Sequence, residues 1–61
     1  MHDFQIVNAI EYLADAIADL NSAKRAPTKE KRDWMCDRGL AHAEKAIAEL
    51  RGAALMTNQS D

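Results

Sequence analysis

Sixty-one residues with a single cysteine, 48% apolar and 30% charged residues and a net charge of −2 describe at most one small domain. A chain of this size has little interior, and small folds ordinarily rely on disulfides, a metal or association. Cys36 has no second cysteine to pair with, and His2 and His42 are the only imidazoles, so association is the expected route to stability.

Helix 1 is expected over about residues 4–25. Asp3 is suited to cap it, ahead of Phe4, and Ile6, Ile10, Leu13, Ile17 and Leu20 follow at spacings of four and three, which mark one helical face. Lys24 and Arg25 suit the negative end of the helix dipole. Pro27 forces a turn at 26–28, because the residue before a proline is pushed out of helical geometry, and Thr28 can cap the next helix. Helix 2 is expected over about 29–56, with Cys36, Leu40, Ala43, Ile47, Leu50 and Ala54 repeating the spacing. Gly39 lies inside it at a cost of about 1 kcal/mol relative to Ala. Gly52 could end it in a left-handed cap, although Ala53-Ala54-Leu55-Met56 keeps helical character, and 57–61 reads as a flexible tail.

Folded at the turn, the two apolar rows oppose one another: Leu20 with Cys36, Ile17 with Leu40, Leu13 with Ala43, Ile10 with Ile47 and Ile6 with Leu50. Each step along one helix is matched by an equal step back along the other, as an antiparallel hairpin requires. The expected fold is therefore all-α, an antiparallel helical hairpin. Beside this seam lie Ala9, Ala16, Ala23, Gly39, Ala46 and Ala53, all small, and a second copy could approach closely there. A homodimer forming a four-helix bundle is the expected assembly.

No arrangement of residues suggests catalysis, and the chain is expected to be neither an enzyme nor a cofactor carrier. Cys36, on the seam, reads as a small buried hydrophobe. His42 has no second imidazole or carboxylate one turn away to make a metal pair, and reads as a surface histidine. The phrase His42-Ala43-Glu44 lacks the cysteine pair that a zinc deaminase would need. No apolar run approaches the roughly 20 residues that cross a bilayer. Met1-His2-Asp3-Phe4 lacks the start of a signal peptide, and a cytoplasmic location is expected.

The charge is unevenly distributed. Residues 1–23 hold four acids and no Lys or Arg, with Glu11, Asp15 and Asp19 in one row, whereas 24–32 hold five bases against Glu30. Lys31, Trp34, Arg38, Ala41 and Lys45 form a basic stripe on helix 2, where indole and guanidinium could hold a base or a phosphate. Arg25, Lys29, Lys31, Arg32, Trp34 and Arg38 are the candidate ligand-binding residues. Read instead as structure, Trp34 covers the hairpin end and the charges are solvated. For a protein target, Trp34, Leu55 and the acidic face are the candidate contacts.

Two helices of some 20 residues, a short turn and an alanine-bearing seam resemble the plasmid repressor-of-primer proteins, and the resemblance implies a hairpin dimer that binds paired RNA loops. Arg32-Asp33-Trp34 opening helix 2, with Leu50-Arg51-Gly52-Ala53 closing it, is similar in placement to phage helical-hairpin proteins that sequester cyclic-nucleotide immune signals. That resemblance implies a non-enzymatic oligomer that traps a signal and blocks host defence. Asp33 separates an Arg and a Trp that are adjacent in that family, and Ala46-Ile47-Ala48-Glu49 replaces its middle stretch, so only Trp34 and the neighbouring bases carry over. The leading expectation is an interaction protein that sequesters a host protein or nucleotide, as a phage or mobile-element inhibitor of a bacterial defence system. The alternatives are an RNA- or nucleotide-binding regulator and a structural assembly subunit.

Overall fold

The computed structural model describes residues 3–60, with side chains described through Ala54. It is an all-helical hairpin of α1 (Asp3–Lys24) and α2 (Lys29–Ser60) packed along their lengths. Asp3 is the first residue of α1 and contributes an acid to its first turn, while Lys24 places a base in the last, both favourable to the helix dipole.

The chain reverses over residues 25–28. Arg25 and Ala26 donate their backbone N–H groups to the carbonyls of Ser22 and Ala23, both at 3.1 Å, which tightens the last turn of α1 into three-residue steps. Thr28 then caps α2 as the sequence predicts: its Oγ1 accepts the N–H of Lys31 at 3.2 Å, and its carbonyl accepts that of Arg32 at 3.0 Å. Gly52 does not terminate α2, since no glycine among the described residues has a positive φ. With neither proline nor a left-handed residue to stop it, the helix passes the expected end at 56 and runs through the segment read as a tail, to Ser60.

The helices meet on a different face from the one expected. Ala9, Ala16 and Ala23 on α1, with Gly39, Ala46 and Ala53 on α2, are the small residues buried in the contact, joined by the polar Gln5 and Asp19, and Ala46 and Ala53 are 1% and 0% exposed. Each set repeats every seven residues, so a small side chain faces the neighbouring helix at every second turn and the axes can come close. A Cβ placed on Gly39 would lie 3.5 Å from the carbonyl oxygen of Ala16. The expected seam is the exposed part: Ile17 is 61% exposed, Leu40 60%, and Ile10, Leu13, Leu20, Cys36, Ile47 and Leu50 are exposed too. Bulky branched residues across that seam would hold the helices apart, whereas the small rows let backbone pack on backbone. The register survives the rotation, with Gln5 against Gly52 and Asp19 against Arg38.

The six small residues expected to receive a second copy are thus covered by the chain itself. Antiparallel packing reverses both the direction and the sense of rotation of α2, so equivalent offsets from the small rows emerge on the same side. One and four residues after the small positions come Ile10, Leu13, Ile17 and Leu20 on α1, and Leu40, Ala43, Ile47 and Leu50 on α2. They form one broad apolar face. One before and three after come Asn8, Tyr12, Asp15, Asp19 and Ser22, opposite Arg38, His42, Lys45 and Glu49. They form the other face, which is polar.

Candidate functional site

On the polar face a connected cluster surrounds Asp19. This residue occupies a position that packs against α2, and it is 7% exposed, so its carboxylate needs partners. The Nδ1 of His42 lies 2.6 Å from Asp19 Oδ2, and Arg38 Nε lies 3.7 Å from Oδ1. With Nδ1 donating to the carboxylate, Nε2 on the other side of the ring points away from it. Tyr12 stacks on His42 with ring centroids 6.5 Å apart and planes at 24°, and Lys45 Nζ sits 5.8 Å above the Tyr12 ring. Arg38 also lies over the Trp34 ring, 5.3 Å from its centroid. Trp34, Arg38, Asp19, His42, Tyr12 and Lys45 therefore form one continuous chain of contacts across both helices.

This cluster alters two sequence expectations. His42 is half-buried and paired to an acid, not a simple surface histidine. Asp19 is turned into the helix contact, apart from Glu11 and Asp15, which are exposed. The hairpin register that sets residue 19 against residue 38 is the signal that could have paired them. Cys36 lies exposed on the apolar face, because the seam assigned to it is not the one that closes. Among the described residues no hydroxyl or thiol is hydrogen-bonded to His42, and no group of three or more His, Cys, Asp or Glu could hold a metal ion.

A second feature lies at the turn. Ser22, Arg25, Ala26, Pro27, Lys31 and Met35 line an open depression of about 350 Å³. Of the candidate ligand-binding residues, Arg25 and Lys31 are brought together here, Trp34 and Arg38 are joined by their stacking, and Lys29 and Arg32 are exposed outside the depression. Ser22, Ala26, Pro27 and Met35 were not singled out by the sequence, where charge rather than shape marked the candidates. Trp34 is 54% exposed, an open aromatic surface rather than a cover for the hairpin end. The side chain of Leu55, the other candidate contact, lies outside the described residues, as does His2.

Among known proteins, no family model, no curated sequence and no solved structure matches the chain. No described helix is long and apolar enough to cross a membrane.

Proposed function

We propose that the protein is a non-enzymatic binding protein in which two copies close their apolar faces into a four-helix bundle, leaving the polar faces outward to capture a target. The observation that carries this reading is the exposed apolar face, where Ile10, Leu13, Ile17, Leu20, Leu40, Ala43, Ile47 and Leu50 run without a charge among them. A helical domain ordinarily consists of two packed layers around a core. This hairpin is a single layer, with Cα extents of 51 × 14 × 9 Å.

Two magnitudes favour a second layer. The chain exposes 4624 Å², where a compact monomer of its mass exposes roughly 4000 Å². Seven large aliphatic side chains on the face are each 40–61% exposed. Covering what remains of them is worth roughly 5–10 kcal/mol per copy. For both copies this compares favourably with an association cost of roughly 4–15 kcal/mol.

Capture without turnover is the action of a sequestering protein. The setting proposed for it is a phage or mobile-element inhibitor of a bacterial defence component. The placement of Arg32-Asp33-Trp34 at the opening of α2 supports that setting. The second reading, a regulator that binds RNA or a nucleotide, is favoured by the Arg38–Trp34 stack. Sedimentation equilibrium from micromolar to millimolar concentration tests the assembly. The expected species has twice the 6.8 kDa chain mass, and a folded monomer throughout that range refutes it.

A further inference from the structure

We infer that the depression at the turn is a binding site for a small phosphorylated molecule, a phosphate ester on a compact apolar or planar body. This deepens the reading of the chain as a binding protein and does not depend on its self-association, because one chain supplies the whole site.

The volume, about 350 Å³, falls within the range of small-molecule sites. Its chemistry is divided. Arg25 comes from the turn and Lys31 from the first turn of α2, with Ser22 as a third polar lining residue, while Ala26, Pro27 and Met35 provide apolar lining. Neither cation has a carboxylate within ion-pair distance among the described residues. Two cations without an ion-pair partner line one concavity, in a chain whose net charge is −2, and suit an anion. A guanidinium fork and a point-charge ammonium with Ser22 beside them suit a phosphate dianion better than a single carboxylate. The negative end of α1 at Lys24 and the positive end of α2 at Lys29 meet at the turn and offset one another, so the attraction for an anion comes from Arg25 and Lys31 themselves.

The surroundings favour a small ligand over a polyanion. A strand of nucleic acid needs a continuing row of available cations. Further along the polar face Arg38 is held by Asp19 and Trp34, Lys45 lies over Tyr12, and the exposed Asp15 opposes an approaching phosphate. The favourable potential is confined to the turn.

The test titrates the intact protein with AMP, adenosine, inorganic phosphate and a ten-residue oligoadenylate at fixed ionic strength. Binding is read by calorimetry and by the fluorescence of Trp34, one helical turn from Lys31. AMP is expected to bind at least tenfold more tightly than adenosine or inorganic phosphate. Arg25→Gln and Lys31→Gln are each expected to weaken AMP at least tenfold, while Arg51→Gln, on the far part of α2, leaves it unchanged. The helical circular dichroism of each variant is checked in the same buffer. AMP binding no tighter than adenosine, or equally sensitive to Arg51→Gln, overturns the proposal. So does oligoadenylate binding more tightly per phosphate than AMP, which would favour an extended nucleic-acid surface. Sedimentation of the same samples reports the assembly separately, so either reading can fail without the other.

Discussion

Replacing Ile17 and Leu40 together by serine separates a solvated apolar face from one that closes on a second copy. In the isolated hairpin these side chains are 61% and 60% exposed, so in a monomer serine forfeits only the two-fifths already covered, about 0.6–1.2 kcal/mol at each position. In a two-fold dimer the remaining three-fifths of each side chain is buried. At roughly 1.5–3 kcal/mol for a complete Leu or Ile, that is about 0.9–1.8 kcal/mol per residue. Four such residues in the dimer give roughly 4–7 kcal/mol, a rise in Kd of about 10³ to 10⁵. Sedimentation equilibrium of wild type and double variant, with circular dichroism to confirm that both remain helical at high concentration, measures the difference. A dimer whose Kd moves less than tenfold refutes the assignment of the interface to this face.

The packing gives three further expectations. Gly39→Ala adds a Cβ at ordinary contact distance, 3.4 Å from Leu20 Cγ and 3.5 Å from the Ala16 oxygen. It should gain about 1 kcal/mol of helix propensity, raising Tm by about 4–8 °C. At Gly52 the same change meets Gln5 Nε2 at 3.2 Å, so Gly52→Ala should gain less, and thermal melts that reverse the order contradict the contacts. Ala46→Leu should destabilise by at least about 1–3 kcal/mol in urea unfolding, because the helices must separate to admit it. Cys36, exposed on the apolar face, should react with a thiol reagent more slowly as protein concentration rises; a rate independent of concentration argues that the face stays open.

The hairpin and its register were legible because they rest on local chemistry: apolar periodicity, the Ala26-Pro27 break and the Thr28 cap. The choice of packing face was not. Hydrophobic periodicity locates the apolar stripe of a helix, and in a compact two-layer domain that stripe identifies the neighbour. Here the nearest neighbour is reached through Ala9, Ala16, Gly39 and Ala46, whose small size permits contact without a large apolar signal. Ile10, Ile17, Leu40 and Ile47 are left pointing out of the layer. The basic residues of the turn were legible as charge. That Arg25 and Lys31 share a concavity with Met35 was not, since it depends on how α1 ends and α2 begins.

The small rows pose a problem that the polar cluster can solve. Because Ala9, Ala16 and Ala23 repeat with the same period as Gly39, Ala46 and Ala53, a slip of seven residues would again set small against small, at the cost of remaking the turn. Asp19 breaks that degeneracy: only the observed register gives its buried carboxylate both His42 and Arg38. In some proteins a buried polar group acts more through selection of one arrangement than through net stability, and the position of Asp19 fits that role. Asp19→Ala should therefore destabilise by about 1–3 kcal/mol, since it leaves the half-buried His42 without its acceptor. Adding His42→Ala should restore much of the loss, because both groups needing a partner are then gone. A double-mutant cycle in urea should give a coupling of about 1–2 kcal/mol. The doubly substituted chain, though stable, should show faster amide exchange along α1 as alternative registers become accessible. Additive effects with exchange unchanged would assign register to the turn alone and leave Asp19 with no part in it.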